Sequence, residues 1–177
     1  MIKLNILIFL FLFLVFKFSY ATNIVVVNIE ELINTNKSYI NILNEIEISQ
    51  KKYHKSFEIK EMKIEEIYNE IENTKFILDD NERIQLIDDY NLQLEELNKL
   101  VNDFNLHYKN EIIFLKNSIL KEIIVLLEIY AKDNQIDLIM DSNNYLIASN
   151  SINITNFIEN KLSQINLNLG YKDFEQN

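Results

Sequence analysis

Residues 79–115 read DDNERIQLIDDYNLQLEELNKLVNDFNLHYKNEIIFL, and the spacing of apolar residues in this stretch decides the fold. Ile87, Leu94, Val101, Tyr108 and Leu115 recur every seven residues, and Tyr90, Leu97 and Phe104 follow the first three of them at a spacing of three. That is sustained a/d spacing, which specifies a packed stripe along one face of a long helix. Asp79 followed by Glu82 has the spacing of a capping box, with Asp79 as N-cap. The pattern therefore predicts a helix over residues 80–133, closed near Asp133 and Asn134, where Asn can take the left-handed position usually given to glycine.

A stripe of this length needs a partner, and the preceding residues supply one. Residues 38–75 read as an outgoing helix of roughly 55 Å at 1.5 Å per residue. Its seam is patchier. Ile40, Leu43, Phe57, Ile64, Tyr68, Ile71 and Leu78 fit one heptad set, while Glu47, Gln50, His54 and Glu61 interrupt the same set. Tyr39, Ile42, Ile46 and Tyr53 indicate a seam that drifts near the base. A seam this polar makes a weak coiled coil that can breathe. Two helices joined by a short reversal near residues 74–80 must lie antiparallel, which predicts a coiled-coil hairpin arm over residues 38–111. The chain has no proline and one glycine, Gly170, a composition that favours uninterrupted helices.

Strand patterns flank the arm and predict a small body from residues 22–37 and 112–165. Ile24-Val25-Val26-Val27 is β-branched and apolar on both alternations, as in a strand buried on both faces. Residues 30–34 suit one or two helical turns. Between Ile112 and Tyr130 the apolar residues widen beyond a stripe, so this helix should be buried on several sides, with a subunit interface explaining the excess. Residues 136–141 and 145–149 read as a strand pair turning through Ser142-Asn143-Asn144. Asn153 then caps a final helix over residues 154–165, and residues 166–177 read as a frayed tail. Three strands make a poor sheet, and self-association into a barrel would cover the edges.

The first residues read as a secretory leader. Lys3 precedes an apolar run over residues 4–16, and Ser19 and Ala21 give the small residues of a cleavage site after Ala21. An uncleaved anchor is the alternative, but the run is short for a membrane span. With no cysteine, a lipoprotein anchor, disulfides and thiolate chemistry are excluded together. The full chain carries a formal charge of −10, and removing Lys3 and Lys17 leaves 15 basic against 27 acidic residues. Such an acidic chain lacks the basic footprint that nucleic acid or an anionic membrane would need.

Nothing in the sequence makes a case for an enzyme or a cofactor. There is no glycine-rich phosphate loop, no nucleophile elbow and no thiol. His54 and His107 lie on opposite legs of the hairpin without neighbouring ligands, so no metal site is expected. Asp137 and Asp141 share a strand face, which reads better as sheet-rim charge than as an acid–base pair. Phe76-Ile77-Leu78 at the tip is either a gripping edge or a seal on the end of the coiled coil. Phe57, Ile64, Tyr68 and Ile71 are either the seam or a lining between arms.

This order of parts resembles the Skp/OmpH family of periplasmic chaperones. The resemblance rests on residues 135–141, on Leu146-Ile147-Ala148 and on Asn153-Ile154-Thr155, with support from Ile24-Val25-Val26-Val27-Asn28 and residues 78–83. Asn28 stands where the family usually has aspartate. The resemblance implies a mostly α fold with a small β body, in which long antiparallel coiled-coil arms hang from a trimerising β-barrel, jellyfish-like. It implies an ATP-independent periplasmic holdase for unfolded outer-membrane β-barrel proteins; on that reading the seam and tip residues Phe57, Ile64, Tyr68, Ile71, Phe76, Ile77 and Leu78 are the candidate client contacts. Val25, Val27, Leu138, Met140 and Leu146 would sit in the trimeric body. Well-studied members are basic at the arm tip, whereas here Lys75 and Arg83 face Glu70, Glu72, Asp79, Asp80, Glu82, Asp88 and Asp89. That acidity argues against lipopolysaccharide or anionic-lipid binding. A secreted tethering coiled coil with one dedicated partner is the competing expectation.

Overall fold

The computed structural model describes residues 22–175, so the expected leader and its cleavage after Ala21 lie outside the described residues. Strand β1 (Ile24–Val27) leads into a short helix α1 (Ile29–Asn34), then into two long helices, α2 (Lys37–Thr74) and α3 (Asp80–Asn134). Strand β2 (Leu138–Asp141) and helix α4 (Thr155–Leu162) follow. The result is a mostly helical chain with a small strand region, and the long helices begin and end within a residue of the heptad reading.

The starts of α1, α2 and α3 are each fixed by a side chain that satisfies N–H groups the helix itself cannot. Asn28 accepts from Glu31 N ahead of α1, and Asn36 from Tyr39 N ahead of α2. Asp79 accepts from Asn81 N at 2.8 Å and Glu82 N at 2.9 Å ahead of α3. The long helices pack along the expected seam. Tyr68 meets Tyr90, Phe57 meets Phe104, and Ser49 is bonded to Tyr108. Partners on α3 thus descend in number as those on α2 rise. Tyr39, Ile46, Phe57 and Ile64 are buried from one side, and Leu97, Phe104, Tyr108 and Leu115 from the other.

In the body β1 and β2 run parallel, with Ile24 opposite Leu138 and Val27 opposite Asp141. Parallel pairing requires a long crossover, which the helices provide. Asp137 Oδ2 accepts from Asn23 N at 2.8 Å at one end, and Asp141 Oδ1 accepts from Ile29 N at 3.1 Å at the other. The two aspartates therefore staple the ends of the strand pair. Val25, Val26 and Val27 are all buried, and Leu32, Leu115, Ile119, Ile123 and Ile158 complete the core around them.

The return strand expected over residues 145–149 does not form. Ser142–Asn144 makes a single 3-10 turn, and Asn153 then bridges Val26, which already pairs with Met140 on its other side. Residues 145–149 are the link that carries the chain from β2 to the far edge of β1. They cannot also pair with β2, whose outer edge stays open in the single chain. The last helix stops at Leu162, and the left-handed residue closing α3 is Gln135, not Asn134, because the helix runs one residue further than expected (φ 53°, ψ 46°).

The tail expected to fray is seated instead. Leu169 and Phe174 are buried, and Leu167 and Tyr171 pack against the core. Gly170 has a φ of +62°, a bend that a side-chain-bearing residue would resist, so the only glycine of the chain turns the tail onto the long helices.

Candidate functional site

Three surfaces carry the residues that the sequence singled out: the tip, the seam and the body edge. At the tip, Ile77 N and Leu78 N bond to Thr74 O at 2.9 and 3.1 Å, which holds the reversal tight. A turn this tight leaves no partner for its outward side chains. Phe76 is 95% exposed and Ile77 80% exposed, while Leu78 is half-buried. The triplet therefore does not seal the coiled coil within the chain. Arg83 pairs with Asp80 at 3.2 Å, so the tip is an apolar point ringed by acids.

Along the seam the four candidate contacts separate. Phe57 and Ile64 are buried between the helices, Ile71 is half-buried, and Tyr68 is half exposed with its ring 6.0 Å from that of Tyr90. Beside them the polar interruptions leave room. A cleft of about 320 Å³ is lined by Ile64, Tyr68, Tyr90, Leu94 and Leu97 with Glu61 and Glu65 among its walls. A second, of about 390 Å³, lies against His54, Phe57, Glu61 and Phe104. Both clefts fall where His54 and Glu61 replace apolar seam residues, because side chains drawn toward water cannot fill the space between the helices.

Sequence reasoning missed a further set. Ile48, Ile59 and Met62 are exposed on α2, and Leu92 and Leu106 on α3. Spacings of 11 and 3 residues on α2, and of 14 on α3, keep each set on a face turned away from the seam. These residues lie off the heptad set, and apolar residues at those off-set positions are the sequence signal for them. The excess between Ile112 and Tyr130 is likewise uncovered: Ile113, Phe114, Ile124, Val125 and Ile129 lie on the surface of the single chain.

At the body, Val25 and Val27 are buried in the chain's own core. Leu138 is exposed, Met140 is half-buried, and Leu146 is fully exposed with Ile147 beside it. Of the five body candidates, Leu138 and Leu146 are exposed, Leu138 on β2 itself.

The base of the long helices holds the densest polar cluster. Asp173 of the tail accepts from Ser49 Oγ at 2.7 Å, from Tyr108 OH at 2.5 Å and from Tyr171 OH at 3.0 Å. Partial burial would raise this carboxyl, but those hydroxyls and Phe174 N–H outweigh it and hold the group below the ordinary carboxylate range. Burial and the adjacent Asp173 raise the Tyr108 and Tyr171 hydroxyls. Asp141 is also held low: the N–H donors of Ile29, Ser142 and Asn143 prevail over desolvation. His107 Nε2 lies 3.0 Å from Lys172 O, and His54 sits edge-on to Phe57 and Phe104. Among the described residues no group of three or more His, Cys, Asp or Glu could share a metal ion.

A long pair of helices on a small strand-containing body, with apolar side chains left on its outer faces, defines an elongated protein with surfaces for other chains. The family model described as outer membrane protein (OmpH-like) matches residues 23–162, and this chain belongs to that family. Its fold is similar to the crystal structure of an OmpH-like outer membrane chaperone from Caulobacter crescentus CB15. The TM-score is 0.69 at 6% identity over 81% of this chain and 85% of the other, a likeness of fold. No curated protein sequence matches the chain.

Proposed function

We propose that this protein is an ATP-independent periplasmic holdase for unfolded outer-membrane proteins, acting as a homotrimer. Family membership supports a chaperone role, and the Caulobacter relative is described as an outer membrane chaperone. The observation that carries the reading is the amount of large apolar side chain left exposed on an acidic chain. Phe76 and Ile77 stand out at the tip, and Leu146 and Ile147 at the body. A soluble monomer rarely leaves such groups together without a partner for them.

The two regions have different partners in this account. The open β2 edge, Leu138, Leu146 and the outer face of α3 from Ile113 to Ile129 meet other copies of the chain and complete a barrel. The antiparallel arms then surround a cavity whose apolar contacts hold the client. Burial of client surface contributes roughly 25 cal/mol per Å² before ordering costs. Many weak contacts make release spontaneous once the client gains more by folding into a membrane. The leader, removed after Ala21, delivers the chain to the periplasm, and the intact mass of the periplasmic protein checks that cleavage.

The test is to dilute a urea-unfolded β-barrel porin into buffer without ATP and follow light scattering while the mature protein is titrated. Suppression that saturates near one client per three chains is expected. Undiminished aggregation at several-fold excess would leave the tethering reading, with one dedicated partner for the arm.

A further inference from the structure

The tail beyond Leu162 lies outside the residues that the family model matches, yet it makes some of the longest-range contacts in the molecule. We infer that the groove it covers at the base of α2 and α3 is a binding groove for extended chain segments with alternating apolar residues, and that residues 163–175 are its built-in competitor. This deepens the holdase reading and rests on it, since it names a site and a segment type for the same clients.

Tyr53 OH donates to Phe174 O at 2.6 Å, His107 Nε2 lies 3.0 Å from Lys172 O, and Lys172 N donates to Glu111 Oε2 at 3.2 Å. These contacts come from both helices and go to backbone atoms, which every chain possesses. Side-chain recognition is polar at Asp173, whose carboxylate accepts from Ser49 and Tyr108, and apolar at Phe174. The Phe174 ring lies 5.2 Å from that of Tyr53 and 5.5 Å from those of Phe104 and His107. Backbone bonds together with apolar pockets are the means by which extended peptides are recognised without strict sequence.

The tail itself has the matching pattern. Leu167, Leu169 and Tyr171 alternate with Asn168 and Gly170 and pack on the core, although the segment has no regular secondary structure. Strands of unfolded β-barrel proteins carry the same period of two. Beside Lys172 to Glu175 lies a cleft of about 1120 Å³, walled on the helices by Lys60, Glu96, Lys99 and Asp103. A client strand would displace the tail, gain the backbone bonds and extend into this cleft.

The test uses fluorescence anisotropy with a labelled peptide copied from an alternating porin strand. Three proteins are compared: the mature chain, a chain ending at Ser163, and Gly170→Ala, which strains the seated bend while leaving every helix residue in place. If the tail fills the groove about nine-tenths of the time, its removal tightens binding about tenfold. Gly170→Ala gives a smaller gain in the same direction, and unlabelled tail peptide added to the shortened chain displaces the probe. Circular dichroism verifies that the shortened chain keeps its helices; if it does not, Gly170→Ala decides. Equal affinity for the mature chain and the tail variants, or a tail peptide that fails to compete, overturns the inference. Porin aggregation measured on the mature chain separates the two failures. Suppression without a gain on tail removal sinks the groove alone, whereas absent suppression and absent peptide binding sink the holdase reading as well.

Discussion

Phe104 and Phe76 have the same side chain and opposite surroundings, so removing each ring separates what holds the fold from what meets the client. Phe104 is 1% exposed, with ring centroids of Tyr108, Phe57, Tyr53 and Phe174 at 5.0, 5.1, 5.5 and 5.5 Å. Phe104→Ala deletes the centre of that cluster and leaves a cavity between helices that cannot close fully, at a cost of about 3–5 kcal/mol. Phe76 is 95% exposed, so Phe76→Ala should change stability by no more than about 0.5 kcal/mol. Urea unfolding followed by circular dichroism, at one fixed chain concentration, reads both. With a slope of about 2 kcal/mol per molar, the midpoint falls by roughly 1.5–2.5 M for Phe104→Ala and stays in place for Phe76→Ala. Porin binding should show the reverse importance for Phe76. Burying a phenyl ring contributes at most about 1.5–3 kcal/mol, so its loss weakens binding by up to roughly tenfold to a hundredfold. Similar midpoint shifts for the two variants would refute the packing argument, and unchanged porin binding by Phe76→Ala would refute the tip as a client contact.

Gln135→Gly should stabilise the chain by about 1 kcal/mol or less. It relieves a left-handed conformation costing roughly 1–2 kcal/mol and gives part of that back in glycine's entropy; a lower urea midpoint would contradict this. Asp173 makes the seating of the tail acid-sensitive. Its folded-state value is depressed, so the unfolded chain binds the extra proton. The stability it contributes is present above the ordinary carboxylate value of about 3.9 and is lost as pH falls through the lower folded value. Between about pH 6 and about pH 3, Asp173→Asn should therefore lose less stability than the parent chain; parallel losses would exclude this contribution. Client affinity should weaken little as salt rises, because an acidic arm holds its client by apolar contact that screening does not remove. A steep salt dependence of porin binding would show that charge governs capture.

The helices were legible because their signals are local. The seven-residue repeat from Ile87 to Leu115, the Asp79 cap and the buried Val25-Val26-Val27 run each follow from a few neighbouring residues. The misses depended on contacts between distant parts of the chain. Residues 145–149 are a short apolar run like a buried strand, but the bridge between Asn153 and Val26 requires them as a crossing link. The tail is asparagine-rich and short of helix signals, so it reads as coil. Its seat is made by Ser49, Tyr53 and Tyr108, more than 60 residues away. The exposed apolar residues were partly legible: Phe76 and Ile77 stand at the predicted reversal, whereas Ile48, Ile59 and Met62 lie off the heptad set. No local pattern distinguishes a seam residue from one that faces a client.

The central claim is that copies of this chain assemble through their bodies to hold one unfolded client among their arms. Native mass spectrometry of the mature protein, alone and after mixing with a urea-unfolded porin, tests it most directly. The account predicts three chains without client and three chains with one porin after mixing. A monomer or dimer that carries no porin would contradict both the assembly and the capture.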